Sequence, residues 1–596
     1  MWRRWVFTGL ACLGLGQASW ATGEPEAASA IVAKPGWTFS RHAVASAHPL
    51  ASQAGLHILR AGGNALDAAV AIQMVLALVE PQSSGIGGGA FLLHHDGIRV
   101  RAWDGRETAP AAVTPDLFLE NGQPLPLARA VVGGRAVGVP GAVRMLEMAH
   151  RAEGRLPWAQ LFAPAIALAT QGFAVSPRLH TLLRQDTTLR QDPVAAAYFF
   201  QPNGLPWPVG HVLKNPDMAH VLARIAQNGS AALHEGPLAQ AMVDTIRNHP
   251  DNPGRMSLQD LANYTARERR PLCFDTRPRD SQALRVCGLP PPSSGTLAMG
   301  QIFGLMTQAP AAPETSAWGA AWIHRYTEAA RLAFADRAQY VADPDFVPAP
   351  GGDWHSLWTE TYLRQRAQAM GAQRMPTPSH GQPAAWTHPW GAMSDQIERG
   401  TSHLSVVDSA GHSVAMTTTI ESGFGARLMV NSGQGLSGGF LLNNQLTDFS
   451  FLPHDAQGRL IANRVEPGKR PRSSMTPTLV FQRRSDGTTG PLVASLGSPG
   501  GTLIIHYTAH TLWAMLHWGM TPQQAIDLPR LALTDPAGPL YVESQRLSSE
   551  WLADLRGRGH RVVETPLTSG LQALQRSPSG WLGGADPRRE GDVAGD

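Results

Sequence analysis

The apolar runs of this chain are all broken by proline or glycine, which confines it to compact packing of short elements. The longest internal run, 65–79, follows Gly62-Gly63-Asn64, stops at Glu80-Pro81 and carries Asp67 and Gln73 inside it. A helix that crosses a bilayer needs about 20 apolar residues, so this run predicts a helix buried in a protein core. Between Trp318 and Tyr340 the residues Trp318, Trp322, Tyr326, Ala330, Ala333 and Phe334 recur at helical spacing and predict a helix with a core-facing side. From Thr401 onward the texture turns to short β-rich runs at 404–407, 413–417 and 440–442, the first two joined across Asp408-Ser409-Ala410-Gly411, a hairpin turn. No repeat of solenoid type is present.

Composition closes off other classes. With 43% hydrophobic and 16% charged residues over 596 positions, the chain is neither a polar disordered polymer nor a polytopic membrane protein. Lys and Arg number 49 against 46 Asp and Glu, and a net charge of +3 is too small for an electrostatic nucleic-acid binder of this size. The N-terminus begins Met1-Trp2-Arg3-Arg4, continues with an apolar stretch at 5–16 and ends at Ala18-Ser19-Trp20-Ala21, small residues where a signal peptidase reads. That is the pattern of an export leader at 1–21, cut after Ala21, with no lasting membrane anchor. The protein is therefore expected in the periplasm or outside the cell. Of three cysteines, Cys12 lies in the leader, so Cys273 and Cys287 remain in an oxidising compartment. They sit in two strand-like runs around a polar turn, where a cross-strand bridge and two buried free thiols both fit.

The chemistry-bearing motifs sort by context. No His-Glu-x-x-His or Cys-x-x-Cys occurs, the 22 histidines are scattered, and the adjacent His94 and His95 would face opposite sides of a strand, so no metal site is read. Gly85-Ile86-Gly87-Gly88-Gly89 lacks the Lys-Ser/Thr of a phosphate loop and reads as a tight structural turn. Gly435-Leu436-Ser437-Gly438-Gly439 matches a nucleophile elbow in letters, but the strand-like Phe440-Leu441-Leu442 follows where a helix is needed, leaving Ser437 a runner-up only.

The most informative segment is Arg399-Gly400-Thr401-Ser402-His403-Leu404-Ser405-Val406-Val407-Asp408, a flexible glycine joined to a threonine that opens a β-run. This segment resembles the processing site of the γ-glutamyltransferase family, N-terminal-nucleophile hydrolases whose precursor cuts itself before a threonine that then becomes catalytic. Residues 64–89, Asp104-Gly105-Arg106-Glu107-Thr108, Pro291-Pro292-Ser293-Ser294-Gly295, Asn443-Asn444-Gln445 with Asp448-Phe449-Ser450, Arg470-Pro471-Arg472-Ser473-Ser474-Met475 and Gly497-Ser498-Pro499-Gly500-Gly501 resemble further signatures in the family's order. The resemblance covers nearly the whole chain after the leader.

The chemistry explains why such residue types are needed. A threonine hydroxyl is a poor nucleophile until a base takes its proton, and a free α-amino group, with a pKa of about 7.7–8.0, is such a base near neutrality. The resemblance implies cleavage between Gly400 and Thr401, orientation of the Thr401 hydroxyl by Thr419, and an oxyanion hole from the amides of Gly500 and Gly501. It also implies a clamp of Arg106, Ser473 and Ser474 on a substrate α-carboxylate, although Arg106 could instead serve a structural salt bridge. Gln445 and Asp448 would hold the α-ammonium with Glu421 as a third acceptor. Glu421 stands where many members have Asn. A second departure is the stretch 451–469, which contains no Tyr or Trp where some members carry an aromatic lid, and reads as loop.

The implied fold is α+β, a four-layer αββα sandwich, from a large chain of about 22–400 and a small chain of 401–596 forming one intertwined heterodimeric unit. The implied activity is γ-glutamyl transfer or hydrolysis on glutathione and related amides, through an acyl-Thr401 ester passed to water or an amine, with no cofactor. A glutaryl or cephalosporin-type acylase on the same scaffold is the alternative, and a non-catalytic periplasmic binding protein a remote one.

Overall fold

The apolar run at 65–79 forms a helix with those same bounds, Ala65–Val79, in the computed structural model, which describes residues 28, 31–278, 281–308, 318–383, 389–393 and 400–596. The leader expected at 1–21 lies outside the described residues. Asn64 caps the helix by accepting the Leu66 and Asp67 amides at 3.1 and 2.9 Å, and Asp67 answers by accepting the Asn64 amide at 3.0 Å. This reciprocal box supplies acceptors for amides that would otherwise be unsatisfied, and Glu80-Pro81 closes the other end. The helix is buried almost all round because it lies between a sheet and further helices.

Two seven-stranded antiparallel sheets make the centre. In spatial order the first contains Asp592–Gly595, Ala43–Ser46, Ser402–Val407, Ser413–Thr419, Gly89–His95, Val100–Gly105 and Arg267–Arg269. The second contains Trp37–Phe39, Gly580–Ala585, Gln572–Ser577, Thr489–Gly497, Thr478–Arg483, Leu284–Gly288 and Leu272–Thr276. Residues from both sides of position 400 contribute strands to both sheets.

Side-chain alternation along the strands builds the layers. Leu404, Val406, Val414 and Met416 join the helices Pro49–Arg60 and Ala65–Val79 in one core. Phe91, Leu93, Ala415, Val407, Leu479, Phe481 and Leu574 fill the space between the sheets. Val286, Val480, Ala494 and Leu496 face the helices Gly295–Gln308, Ala320–Tyr340 and Ile504–His517 on the far side. The result is helices, sheet, sheet, helices, as expected. The helix Ala320–Tyr340 buries more than one stripe: Trp322, Tyr326, Ala330, Ala333 and Phe334 pack in the core, while Glu328, Arg331 and Arg337 are also buried. Among the described residues no helix is long and apolar enough to cross a membrane.

Cys273 and Cys287 face each other directly across the antiparallel pair Leu272–Thr276 and Leu284–Gly288, with Cα atoms 4.1 Å apart, and they form a disulfide. Register settles what spacing left open. The fold also gathers His324 and Glu328, one turn apart on the helix Ala320–Tyr340, with the sequence-distant His560, their ligand atoms within 4.8 Å of one another. His324 Nδ1 and His560 Nε2 share a hydrogen bond of 2.8 Å, Glu328 accepts the Met375 amide at 2.6 Å, and Arg331 Nε stands 3.4 Å from its other oxygen. Burial above all, then His324 and the cationic Arg331, Arg374 and Arg558, disfavour a charge on His560, and this group reads as a polar contact between the helix Ala320–Tyr340 and its neighbours.

Candidate active site

The strand Ser402–Val407 lies inside the first sheet, with Leu404 and Val406 turned to the helices and Val407 turned to the second sheet. Thr401, one position ahead of the strand, shares the parity of His403 and Val407 and is 2% exposed. Gly400 has φ of +62°, and a Cβ there would lie 2.2 Å from the Glu421 carbonyl oxygen, so only glycine fits. The Thr401 hydroxyl is hydrogen-bonded to the Gly400 carbonyl oxygen. Thr419 Oγ1 donates to that same oxygen at 2.8 Å while accepting the Glu421 amide at 2.7 Å. Because the amide occupies its acceptor side, the Thr419 hydroxyl hydrogen is committed to the Gly400 carbonyl. Arg589 Nη1 lies 3.4 Å from the Thr401 carbonyl oxygen.

His403 is the imidazole closest in sequence, but it is engaged elsewhere. Its ring nitrogens contact Thr417 Oγ1 at 2.8 Å and Ser405 Oγ at 3.1 Å, and burial pushes its pKa down to about 3, leaving it neutral. Ser495 of the second sheet donates to Ser405 Oγ at 2.9 Å, so His403 belongs to a polar tie between sheets. The strand Thr489–Gly497 ends against this tie: a Cβ on Gly497 would lie 2.4 Å from the His403 ring. Ser498-Pro499-Gly500-Gly501 then turns into the helix Ile504–His517, with Gly500 at φ +140° and Gly501 at φ +56°. These dihedrals, open to glycine, orient backbone amides at a helix N-terminus, where negative charge is favoured.

A chain of contacts runs from Thr419 to the remaining expected residues. Glu421, at φ +75° an unusual backbone conformation for a side-chain-bearing residue, accepts Ser422 Oγ at 2.6 Å and also Asn444 Nδ2. Asn443 is saturated by structural bonds, from Nδ2 to the Gly87 and Gly138 carbonyls and from the Gly138 and Gln445 amides to Oδ1. Gln445 Nε2 donates to Asp448 Oδ2 at 2.6 Å, while its buried Oε1 has no partner among the described residues. Arg106 donates to Asp448, and also to the Pro471 and Arg472 carbonyls at 3.2 and 2.9 Å. Arg106 is thus ion-paired with Asp448.

The two serines share one logic. Ser473 Oγ accepts the Met475 amide at 3.1 Å and Ser474 Oγ accepts Arg337 Nη2 at 2.6 Å. Among the described residues neither hydroxyl has an acceptor for its own hydrogen, so both are O–H donors in waiting. Arg106 with two such donors beside Asp448 and Gln445 Oε1 presents cation and acceptors together, the complement of an α-amino acid zwitterion.

Some features were not singled out by the sequence. Glu107 is fully buried, neither carboxyl oxygen has a hydrogen-bond partner on another described residue, and burial raises its pKa to about 8 against the pull of Arg106, so it is mostly neutral at neutral pH. Arg337, Arg589 and Ser294 also carry site contacts. Arg589 and Arg337 sit far from the quoted motifs and gave no signal, whereas Glu107 and Ser294 lay inside them. Ser437 is exposed in a loop between two short strands, with no helix after it, which removes it as an elbow nucleophile. The Gly85–Gly89 turn is structural: a Cβ on Gly88 would lie 2.1 Å from the Thr419 carbonyl oxygen. The loop 451–469 is tethered at its base, where Asn463 donates to the Asp448 carbonyl at 2.8 Å and accepts the Arg472 amide at 2.9 Å, while 456–460 is exposed.

Two stacked sheets between helical layers, with a threonine at the head of an inner strand, define a hydrolase fold of the N-terminal-nucleophile class. Residues 51–596 match the family described as Gamma-glutamyltranspeptidase, and the chain belongs to that family of enzymes. It is 35% identical over 570 residues to a Bacillus subtilis (strain 168) protein named glutathione hydrolase proenzyme, covering 93% of this chain and 91% of that one. An Escherichia coli (strain K12) protein of the same name is 32% identical over 559 residues, covering 92% of this chain and 91% of that one. Among solved structures, cephalosporin acylase from Bacillus halodurans superimposes with a TM-score of 0.80 at 27% identity, covering 94% of this chain and 97% of that one.

Proposed function

We propose that this chain cuts itself between Gly400 and Thr401 and that the freed Thr401 transfers γ-glutamyl groups from glutathione or a related amide to water or an amine. The supporting observation is the Gly400 carbonyl oxygen, which receives the Thr401 and Thr419 hydroxyls together in a buried, glycine-only geometry. Attack of Thr401 Oγ1 on the Gly400 carbonyl carbon breaks the C–N bond as the nitrogen gains a proton, giving an ester that water hydrolyses. A large chain from about residue 22 to Gly400 and a small chain 401–596 remain interleaved in both sheets.

In turnover the new α-amino group of Thr401 takes the hydroxyl proton as Oγ1 attacks the donor amide. The Gly500 and Gly501 amides stabilise the oxyanion by about 3–4 kcal/mol per well-aimed donor. The leaving amine takes the proton, and water or a second amine then resolves the ester. Arg106, Ser473 and Ser474 hold the donor's α-carboxylate, and Asp448, Gln445 Oε1 and Glu421 hold its α-ammonium. These steps require neither a metal nor an organic cofactor. A periplasmic or secreted location fits the leader and the Cys273–Cys287 bridge. The names of the relatives from Bacillus subtilis and Escherichia coli support glutathione as donor.

The similarity to a cephalosporin acylase favours a second reading, removal of a glutaryl side chain, which keeps the carboxylate but lacks the ammonium. Hydrolysis of γ-glutamyl and glutaryl anilides separates the two. A Thr401→Ala variant is expected to stay uncut and inactive on a denaturing gel and in the anilide assay. Cleaved or active variant protein would sink the proposal, and active wild type in one piece would do the same.

A further inference from the structure

Arg337 lies on the helix Ala320–Tyr340, far in sequence from every motif, and is 4% exposed. Its guanidinium is spread across two serines: Nε donates to Ser294 Oγ at 2.8 Å and Nη2 to Ser474 Oγ at 2.6 Å. Its Cζ stands 5.4 Å from the centre of the Phe334 ring on the same helix. Ser294 is used completely. Its hydroxyl and its amide each donate to the Ser473 carbonyl oxygen at 2.7 Å, so Arg337, Ser294 and the Ser473 backbone form one connected unit. Ser474 differs, because its oxygen accepts from Arg337 while its own hydrogen has no acceptor among the described residues.

We infer that Arg337 is a positioning residue for recognition of the acyl donor's α-carboxylate, acting through Ser474 and Ser294. This rests on the reading of Ser473 and Ser474 as the carboxylate grip. A hydroxyl is donor and acceptor at once; filling its acceptor side with a cationic N–H turns its hydrogen outward and polarises the O–H bond, making it a better donor to an anion. The planar fork of a guanidinium can hold Ser294 and Ser474 at fixed spacing, which a lysine ammonium cannot reproduce. Hydrogen bonds to charged groups contribute about 1.5–3 kcal/mol, so loss of the preset Ser474 donor is a loss of roughly 10- to 100-fold in donor binding.

The test compares full-length wild type, Arg337→Gln, Arg337→Lys, Ser294→Ala, Ser474→Ala and the Arg337→Gln/Ser474→Ala double variant after maturation. Three anilides serve as donors: γ-glutamyl, glutaryl, which lacks the ammonium, and 4-aminobutyryl, which lacks the carboxylate. Arg337→Gln should raise KM for the γ-glutamyl donor 10- to 100-fold with kcat within about threefold, and Arg337→Lys should recover only part of that. Any glutaryl turnover should suffer equally, and any 4-aminobutyryl turnover should be untouched. In the Ser474→Ala background the Arg337→Gln effect should shrink to less than threefold. An unchanged KM, equal loss with the carboxylate-free donor, or full additivity in the double variant overturns the inference. Should Arg337→Gln fail to mature, Ser294→Ala decides: a KM equal to wild type refutes the connected unit. Wild type that turns over neither γ-glutamyl nor glutaryl anilide overturns the carboxylate grip itself, and the inference with it.

Discussion

Replacing Gly400 by alanine should separate self-cleavage from turnover. Gly400 holds φ of +62°, and an alanine Cβ would stand 2.2 Å from the Glu421 carbonyl oxygen. Holding a residue with a Cβ in this left-handed region costs about 1–2 kcal/mol, and the contact lies more than 1 Å inside ordinary van der Waals range, so backbone must also move. The part that moves carries the carbonyl on which the Thr401 and Thr419 hydroxyls converge. A combined loss of about 2–3 kcal/mol in the cleavage transition state slows processing roughly 30- to 150-fold. The assay is a time course of purified precursor on a denaturing gel, following full-length chain into two products. Once cut, residue 400 is only the end of the large chain, so matured Gly400→Ala enzyme should hydrolyse γ-glutamyl anilide with kcat and KM within about twofold of wild type. Wild-type processing speed would refute the geometric reasoning. Slow processing with an equally crippled matured enzyme would show instead that Gly400 has a lasting role in the site.

Glu421→Gln removes a carboxylate expected to face the donor ammonium, and KM for γ-glutamyl anilide should rise about 10-fold while that for glutaryl anilide stays level or falls; parallel changes for both donors would count against an ammonium contact. Glu107 has a folded pKa raised to about 8 from an ordinary value of 4.5, so its contribution to stability is complete at low pH and is lost as pH rises through about 8. Thermal melts of wild type and Glu107→Gln at pH 5.5 and 8.5 should therefore show the variant gaining relative to wild type at the higher pH, and a constant difference would be contrary. The double substitution Cys273→Ala/Cys287→Ala opens a loop with a sequence separation of 14 and should cost about 3 kcal/mol in denaturant unfolding, leaving cleavage and turnover intact; a processing defect would contradict the structural role given to the bridge.

How much of this was legible in the sequence depends on whether a feature is local. The helix Ala65–Val79 announced itself because a mostly apolar run, broken only by Asp67 and Gln73 between Gly62-Gly63-Asn64 and Glu80-Pro81, has few ways to be satisfied. The hairpin of Ser402–Val407 and Ser413–Thr419 was equally plain from alternation and turn chemistry. The spacing of Cys273 and Cys287 allowed a bridge or two thiols, and only the register of their strands decided between them. Arg337 and Arg589 were invisible because a buried arginine leaves no periodic mark, and the partners named here lie 43, 137 and 188 residues away. Arg106 was offered two roles, clamp or salt bridge. In the structure it is ion-paired with Asp448, so under the proposed clamp a carboxylate would share or displace that partner.

That pairing bears on how one pocket can carry buried charges of both signs at low cost. Buried charges are expensive unless matched, and the proposed zwitterion site brings a cation and an anion together among buried residues. Here Arg106 and Asp448 neutralise each other, Gln445 steadies Asp448, and Glu107 stays mostly protonated beside them rather than adding a second buried negative charge. Among the described residues the hydroxyls of Ser473 and Ser474 each accept a bond without donating one, and Gln445 Oε1 accepts none. An incoming carboxylate and ammonium on a single carbon would fill those unmet positions and pull Arg106 and Asp448 apart toward opposite ends of the ligand. Donors missing either charge would leave one member of the pair with no new partner. On the proposed reading, selectivity for the complete zwitterion would come from the charges and polar groups of the pocket, and a bare loop at 451–469 would not forfeit it.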